Sequence, residues 1–502
     1  MLESSDNQQY ENYNFERRIS LMQLPNGFPI AQADWDKTPL SIQAVVVALW
    51  QENQTLKHQL TRLQVEVSKL GERVNKNSQN SSKPPSSDMN SKNKYPKKEA
   101  SGQPKGGQQG HEGKGRKLKP LSRVNKVVVC KPTACVDCGA LLMGEDCNAE
   151  RHQVSELPRI VPEIVEYQKH TLTCLACGTK NHGEWPADMP RGSFGVRIQA
   201  MTGYLGGRFG ISQRDIEEML ETVFHVEIGL GSISAQEQQV NQALEQPVDC
   251  AVKYVQQQTT KNMDETSWHE LTKLCWLWVC TTPFVTVFRI FKTRGADGAK
   301  ELLGENFAGT LGSDRYSSYN WLDPARRQVC WAHLKRDFRA LLERGGESKT
   351  IGRLLLEQVK LFFGLWHHLK NGTLSRIDFQ IAMQPIRGQV YNLLCIGTFV
   401  EHAQTRKTCQ NILQLEQALW TFVDREEVEP TNNAAERALR RGVIWRRRSF
   451  GTQSEKGSQF VERIMTAVMT LRQQKRDVLD YLVATCHANL LGTTAPSLLL
   501  AV

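Results

Sequence analysis

The chain has 502 residues, and its 63 lysines and arginines against 53 aspartates and glutamates give a formal net charge of +10. A mean hydropathy of −0.45 and apolar runs too short to span a bilayer predict that it is not a membrane protein, and no secretory signal is recognisable at its N-terminus. Its 13 cysteines therefore favour free thiols or metal ligands over a disulfide scaffold, while the basic balance suits a polyanionic partner.

The N-terminal part predicts a disordered segment followed by a coiled coil. Residues 1–41 are largely polar and are expected to be disordered. Over 42–75 two apolar series recur at every seventh position: Ile42, Leu49, Leu56, Leu63 and Leu70, with Val46, Asn53, Leu60, Val67 and Val74 between them. Leucine in one series, valine in the other and a single asparagine predict a parallel two-stranded coiled coil. The alternative is an amphipathic helix packed on its own domain.

A linker follows the coiled coil. Residues 76–126 begin with a run rich in serine, asparagine and proline and continue with lysine and glycine, a composition that cannot bury a core. This segment is predicted to be a flexible basic linker. Its lysines could contact phosphates without sequence preference, or they could simply keep a tether solvated.

Two short cysteine motifs predict a structural zinc site in residues 127–190. Cys135 and Cys138 are followed by glycine, and so are Cys174 and Cys177. Four thiolates in two such knuckles can complete one tetrahedral Zn²⁺ site that leaves no open position. Strands are expected between and beside the knuckles, over 153–158 and 165–173, as in a zinc ribbon. A cluster of free thiols is the alternative.

Residues 191–250 predict a helical module. Helices are expected over 196–205 and 213–223, with Ser212 as the cap of the second, and a third helix is expected after Ser232. Short helices joined by a turn with glycine fit a helix-turn-helix. Its third helix has polar side chains that could face bases, namely Ser234, Gln236, Gln238 and Gln239. That helix begins without arginine or lysine, so a three-helix packing module remains the alternative.

Two aspartates stand at the ends of predicted strands in residues 251–340. An extended run over 258–263 leads into Asp264, and a run over 309–313 leads into Asp314. Between them lie a predicted hairpin, 274–280 with 284–291, and a short helix. Carboxylates from separate strands of one sheet are how an oxygen-liganded Mg²⁺ site is built. Each aspartate could equally be an ordinary turn or cap residue.

A third acid and a group of arginines lie near the C-terminus. Residues 341–425 have helical periodicity and predict an insertion, and residues 426–502 contain a new helix start at Asn432 or Asn433. Glu436 would then lie in the first turn, where the helix dipole stabilises a carboxylate whatever its function. Six following arginines could grip DNA phosphates, or they could simply form a solvated face: Arg437, Arg440, Arg441, Arg446, Arg447 and Arg448. A single helix is expected over 460–488.

Cys330 and His333 stand three residues apart after a further predicted strand, 327–330. Two ligands do not make a metal site. These side chains are therefore either neighbours of an active site or simple packing residues.

Four motifs together resemble those of the transposases of the insertion sequence 66 family. They are Met263-Asp264-Glu265-Thr266, Ser313-Asp314-Arg315-Tyr316, Cys330-Trp331-Ala332-His333-Leu334 and Asn432-Asn433-Ala434-Ala435-Glu436-Arg437. The resemblance implies that Asp264, Asp314 and Glu436 form a DDE triad that uses Mg²⁺ or Mn²⁺ to cleave element ends and transfer the 3′-hydroxyl strand. It also favours DNA contact by the helix-turn-helix.

The resemblance completes the expected architecture and partners. We expect a multidomain α+β protein in which residues 251–340 and 426–502 form an RNase H-like α/β core interrupted by the helical insertion. Expected partners are double-stranded DNA at the terminal repeats and the target, a second copy through the coiled coil, and accessory proteins of the same element, at the nucleoid in the cytoplasm. Two other functions stay open, a DNA-binding regulator and an RNase H-like nuclease without strand transfer.

Overall fold

The structure is a computed structural model, and it describes residues 24, 26–76, 81–83, 117–304 and 306–500. The chain divides into two units, residues 1–99 and 100–502. Most of the predicted linker and the first 23 residues lie outside the described ranges. Within the described ranges, no helix combines the length and the apolar character that crossing a membrane requires.

The first unit is built on one long helix. Helix α1 spans Gln32–Trp35 and helix α2 spans Leu40–Asn75, which contains the predicted coiled-coil segment. The leucines of the heptad series are more than half exposed on α2, including Leu49 at 59% and Leu63 at 59%. An apolar stripe of this kind is what a helix presents when its burial partner is another chain.

The prediction of disorder over 1–41 is wrong for the described residues just before α2. Trp35 is 2% exposed, and Phe28 packs its ring against Trp50 with centroids 4.8 Å apart. Gln43 is buried and donates a hydrogen bond to the Trp35 carbonyl at 2.7 Å. The segment folds back because its aromatic side chains can cover the first turns of the helix.

Residues 117–190 have little regular structure. A 3₁₀ turn spans Leu121–Arg123, and the strands β1, Thr171–Thr173, and β2, Lys180–His182, form an antiparallel hairpin around the second cysteine motif. The strand predicted over 153–158 is absent, and that over 165–173 shrinks to its last three residues. Those residues have no neighbouring strand to complete a hydrogen-bonded ladder, and strand propensity alone cannot supply one.

Four helices precede the sheet. Helix α3 spans Val196–Tyr204 and continues into a π turn, Leu205–Phe209; helix α4 spans Gln213–Phe224, α5 spans Leu230–Ala243 and α6 spans Glu245–Gln257. Ser212 caps α4 as predicted, because its hydroxyl accepts from the Asp215 amide. The third helix instead begins two residues before Ser232, with Gly229 in the cap position.

A five-stranded mixed sheet forms the centre of the second unit. Strand β3 spans Thr260–Glu270, β4 spans Lys273–Thr281, β5 spans Thr286–Phe291, β6 spans Thr310–Ser313 and β7 spans Arg327–Val329. Their order is β5-β4-β3-β6-β7; β3, β4 and β5 are antiparallel neighbours, whereas β6 and β7 run parallel to β3. Helix α7, Ala296–Leu303, links the hairpin to β6. The mixed helix and sheet content makes the fold α+β.

The helical insertion packs on the helix that follows β7. Helix α8 spans Trp331–Glu343; α9 spans Gly346–Lys370, α10 spans Arg376–Gly397, α11 spans Ala403–Leu413, and the short α12 and α13 span Glu416–Leu419 and Thr421–Asp424. Trp331 is fully buried at their centre, and its indole nitrogen donates to the Leu419 carbonyl at 2.7 Å. The insertion thereby fixes the start of α8.

Three further helices complete the chain. Helix α14 spans Asn433–Ser449, α15 spans Glu455–Gln473 and α16 spans Val478–Leu491. Helices α14 and α15 cover one face of the sheet, and a Cβ at Gly442 would lie 2.3 Å from a Leu277 methyl, so glycine alone permits this approach. The single helix predicted over 460–488 is two helices, because the chain turns at Lys475, where φ is +58°.

Candidate active site

Strand register brings two predicted acids side by side. Asn262 on β3 pairs with Gly312 on the parallel strand β6, so two residues further along Asp314 lies level with Asp264. Gly312 also pairs with Gln328 on β7, which sets Cys330 level with Asp314. Asp264 is the fifth residue of the eleven-residue strand β3, so the prediction that it ends a strand is wrong, whereas Asp314 does follow the end of β6.

Alternation along β3 separates the two adjacent acids. Successive side chains of a strand point to opposite faces, so Asp264 and Glu265 serve different surroundings. Glu265 is fully enclosed, where it pairs with the Arg294 guanidinium at 2.8 Å and accepts from the Tyr319 hydroxyl at 2.6 Å. Its charge is already satisfied, which leaves Asp264 as the acid of this pair that faces α14.

The loop after β6 is held by backbone and side-chain bonds. The Tyr316 amide donates to Asp314 Oδ1 at 2.9 Å, and the buried Arg327 donates to the Asp314 carbonyl at 2.6 Å. Burial lowers the pKa of Arg327 to about 10. Arg327 therefore fixes the position of Asp314 from within the core, a role that no local sequence pattern indicates because it depends on the partners that the fold brings to the guanidinium.

Helix α14 presents the third acid to the same place. Asn432 occupies the cap position, yet its side chain does not cap the helix; it donates instead to the Met263 carbonyl of β3 at 2.6 Å. This bond ties the first turn of α14 to the strand residue just before Asp264. Glu436 lies in that first turn, as predicted.

Burial and neighbouring acids act together on Asp264. Burial raises the pKa of Asp264 well above its ordinary value, and the neighbouring charges of Glu265, Asp314 and Glu436 raise it further. A buried carboxyl group among like charges fits a site that a cation neutralises. The structure thus gathers Asp264, Asp314 and Glu436 at one corner of the sheet.

Glu436 also belongs to a second group of potential metal ligands. In the described part of the chain, one group of three or more potential metal ligands has all its ligand atoms within 4.8 Å of one another, and it consists of Cys330, His333 and Glu436. His333 Nδ1 is 3.4 Å from Glu436 Oε1. Burial raises the pKa of Cys330 to about 11, and burial together with Arg336 lowers the pKa of His333, which favours the neutral imidazole.

Comparison with known proteins assigns the family. Residues 191–460, more than half of the chain, match the protein family described as Transposase IS66 family. The chain belongs to this family. Membership confirms the resemblance drawn from the four motifs and supports a transposase function. Residues 36–117 match a second family that is described only as one of unknown function.

Two relatives of this IS66-family chain come from Sinorhizobium fredii (strain NBRC 101917 / NGR234). "Uncharacterized protein y4qI" is 27% identical over 237 residues, which cover 43% of each chain. "Uncharacterized protein y4hP" is 23% identical over 384 residues, which cover 69% of each chain. The chain therefore aligns with less than half of the length of the first relative.

The predicted DNA-binding arginines of the family member differ in their surroundings. Arg437, Arg440, Arg447 and Arg448 are exposed along α14. Arg446 is half-buried, and its guanidinium donates to the Thr266 hydroxyl at 3.0 Å and to the Ser267 hydroxyl. Arg446 therefore ties α14 to β3, and DNA contact by this arginine stays a prediction.

Tertiary structure adds two arginines to the predicted set. Burial lowers the pKa of Arg441, and the charges of Arg208, Arg472 and Arg448 lower it further. Arg448 also donates to the carbonyls of Phe209 and Gly210, at 3.2 and 3.3 Å, beside Arg208. In the described residues none of these four arginines has an acidic partner within ion-pair distance. We call Arg208, Arg441, Arg448 and Arg472 the arginine cluster.

The helix-turn-helix residues are only partly accessible. Ser234 is exposed on α5, and Gln238 and Gln239 are half-buried. Gln236 is 6% exposed, so the prediction that it faces bases is wrong. It falls on the inner side of α5 because it lies three residues after Ile233, which is fully buried.

The two cysteine knuckles have the same local geometry. The Gly139 amide donates to the Cys135 carbonyl at 2.9 Å, and the Gly178 amide donates to the Cys174 carbonyl at 2.8 Å. Both glycines have positive φ, +74° and +71°, a conformation that glycine adopts without steric cost. Hydrogen bonds lower the pKa of Cys135, from Cys138 foremost, and of Cys177, from Thr179 foremost. Thiolates are the form that zinc binds.

The four thiols do not meet the 4.8 Å limit as a set. Each knuckle is formed, but the structure does not bring the pair into one ligand group. Zinc binding by Cys135, Cys138, Cys174 and Cys177 therefore stays a prediction.

Proposed function

We propose that the chain is a DDE transposase that cleaves the ends of a bacterial insertion element and transfers the 3′-hydroxyl strand into target DNA. The observation that supports the proposal is the arrangement of Asp264, Asp314 and Glu436 at one corner of the sheet, where burial foremost, and then the charges of Glu265, Asp314 and Glu436, raise the pKa of Asp264. The strand order, three antiparallel strands followed by two parallel ones, supports an RNase H-like core.

Asp264, Asp314 and Glu436 would hold Mg²⁺ or Mn²⁺. Divalent ions at such carboxylates supply activation of the attacking oxygen and stabilisation of the leaving oxygen. The protein's own contribution is to position the carboxylates: Arg327 anchors the backbone at Asp314, and Asn432 anchors the start of α14 to β3. The buried atoms Asn432 Oδ1 and Glu436 Oε1 have no hydrogen-bond partner among the described residues, which fits a site completed by an ion or its water.

The arginine cluster and the exposed arginines of α14 would grip the DNA backbone. Four guanidinium groups without acidic partners repel one another until an anion lies between them, and phosphate matches their geometry. The cluster joins the π turn after α3 to α14 and α15. It therefore connects the proposed helix-turn-helix module with the corner of the sheet that holds Asp264, Asp314 and Glu436, which we call the catalytic corner. Ser234, Gln238 and Gln239 on α5 would then contact bases.

The remaining parts would organise the assembly. Zn²⁺ at the two knuckles would stabilise residues 127–190, which have little apolar burial of their own. The exposed leucine stripe of α2 would pair with a second copy of the chain. We place this activity at the nucleoid in the cytoplasm, because that is where its proposed DNA substrates lie.

The catalytic proposal is tested with purified protein, DNA ends of the element and Mg²⁺. Asp264→Asn, Asp314→Asn and Glu436→Gln should each lose at least ~10³-fold in cleavage and strand transfer, because these groups act on the transition state. All three should still bind end DNA. Asp323→Asn, an exposed aspartate near the same loop, serves as the matched control and should retain activity.

The same assay separates the alternatives. A DNA-binding regulator would bind the ends without cleaving them, and a nuclease would cleave without joining. Wild-type activity in Glu436→Gln would refute the triad.

The DNA-grip proposal is tested through salt dependence. Replacing both Arg208 and Arg472 by glutamine should reduce the slope of log affinity against log salt by about 2, since each phosphate contact contributes about 0.9. Arg353→Gln, on an exposed face of α9, is the control and should leave the slope unchanged. An unaltered slope in the double variant would remove the cluster from the DNA path.

Self-association is tested by deletion of residues 42–74. Light scattering should give a lower mass for the deletion protein than for the full chain, because the exposed leucines of α2 are then lost. A full-length chain that is monomeric at micromolar concentration would exclude the coiled coil.

A further inference from the structure

Cys330, His333 and Glu436 come together at the starts of two helices. Cys330 is the cap residue of α8 and His333 lies three residues later, a spacing that turns both side chains to the same side of a helix start. Glu436 lies in the first turn of α14. The Trp331 amide donates to the Pro430 carbonyl at 3.0 Å, and the Asn432 amide donates to Cys330 Sγ at 3.2 Å. The two helix starts are thus bonded to each other.

Two of the three side chains have buried polar atoms with nothing to bind. Neither His333 Nδ1 nor Glu436 Oε1 has a hydrogen-bond partner among the described residues. They lie 3.4 Å apart without the geometry of a hydrogen bond. Buried polar atoms in native proteins are nearly always paired, so two unpaired ones on facing side chains point to a ligand that both contact.

The donor set selects the kind of ligand. One sulfur, one imidazole nitrogen and one carboxylate oxygen are too soft a set for Mg²⁺ and match a borderline transition metal such as Zn²⁺. The positive ends of two helices face the site and favour anionic ligands, which a thiolate and a carboxylate would be. Together these two ligands neutralise a divalent ion.

We propose that Cys330, His333 and Glu436 bind one transition-metal ion, with Zn²⁺ as the preferred occupant, at a site that is separate from the cysteine knuckles and shares Glu436 with the three acids. The thiol proton passes to solvent when the ion binds. Three protein ligands leave one position for water. Binding at this site is independent of the proposed function, because it would occur in a chain that never cleaves DNA.

Metal content tests the site. Full-length protein is stripped with a chelator, equilibrated with Zn²⁺ by dialysis and analysed for zinc per chain. Cys330→Ser should hold about one zinc ion less than wild type, because a serine hydroxyl does not replace a thiolate ligand. Cys409→Ser is the matched control, since Cys409 is a fully buried thiol in the helical insertion, and it should keep the wild-type content.

A second variant guards against misfolding of Cys330→Ser. Glu436→Gln is a nearly isosteric substitution of a side chain that is 32% exposed, so the variant should fold. It too should have a lower zinc content than wild type, and its circular dichroism spectrum should match that of wild type. With Co²⁺ in place of Zn²⁺, the thiolate-to-metal absorption should be weaker in Cys330→Ser than in Cys409→Ser. Equal zinc content in wild type, Cys330→Ser and Glu436→Gln would overturn the proposal, whatever the result of the DNA cleavage assay.

Discussion

The cysteine knuckles and the catalytic corner are two candidate metal regions that form in opposite ways. Each knuckle closes within six residues, through hydrogen bonds such as that from Cys135 to Ala140, while side chains around it stay in solvent: Val136 is 99% exposed and Leu175 is fully exposed. The catalytic corner brings together Asp264 and Glu436, which are far apart in the sequence. It lies on a sheet whose two faces are both buried.

This difference separates two sources of stability. The knuckle region forms its turns with little packing, so we expect a bound metal to supply the free energy that fixes it. The corner takes its free energy from apolar burial in the sheet and in the insertion, and we propose that metal binding there serves chemistry. The predictions below test that division, beginning with the largest expected effect.

Loss of zinc from the cysteine knuckles should affect the knuckle region alone. Structural zinc sites contribute apparent binding free energies of about 10 kcal/mol or more, so Cys174→Ser should release zinc and expose residues 127–190 to limited proteolysis. The urea unfolding transition of the core should not move. A protease-resistant knuckle region in zinc-free protein would show that packing, and not metal, holds it.

Loss of the Trp331 indole should destabilise the catalytic corner and leave the knuckle region unchanged. Trp331 is fully buried, and its ring lies 4.7 Å from Phe362 and 4.9 Å from Trp420 between centroids. Trp331→Ala should lower the free energy of unfolding by about 3–5 kcal/mol, through the cavity that it leaves, with zinc at the knuckles retained. Trp321→Ala, at an indole that is 37% exposed, should cost much less in the same urea experiment.

The buried acid Glu462 should make the core's stability depend on pH. Burial raises its pKa from 4.5 to about 7, although Arg289 lies beside it. Between these values the unfolded chain releases the proton while the folded chain keeps it, so the free energy of unfolding falls as pH rises from 4.5 to about 7 and then levels off.

Glu462→Gln removes that dependence. Relative to the variant, wild type should lose on the order of 3 kcal/mol between about pH 5 and about pH 8, measured by urea unfolding. Glu455→Gln, on the exposed first turn of the same helix, should behave as wild type. A parallel pH course for wild type and Glu462→Gln would mean that this carboxyl stays ionised in the fold.

The smallest effect concerns a purely local signal outside both regions. The Ser212 hydroxyl accepts from the Asp215 amide at 3.2 Å at the start of α4. Ser212→Ala should lower stability by about 1 kcal/mol. Ser212→Gly should cost less, since glycine is also tolerated at a cap; a larger loss with glycine would indicate that the serine does more than cap.

Sequence reasoning was accurate where a signal is short-range. It predicted the Ser212 cap, the strand that ends at Asp314 and the helix start that carries Glu436. It failed where the outcome depends on a distant partner. Gln236 was predicted to face bases, but the packing of its helix buries it. Arg446 was predicted to contact DNA, and nothing in the sequence indicated that its guanidinium donates to two hydroxyls of β3.

The sequence by itself determined the family, through four motifs, and the identity of the three acids that the family resemblance implied. Only the tertiary structure decided which neighbours those acids have, because strand register and helix approach join residues more than a hundred positions apart. It set Asp314 level with Asp264, turned Glu265 to the opposite face, and brought Glu436 to Cys330 and His333. Local propensity acts over a few residues, whereas a site of this kind is fixed by the packing of a whole sheet.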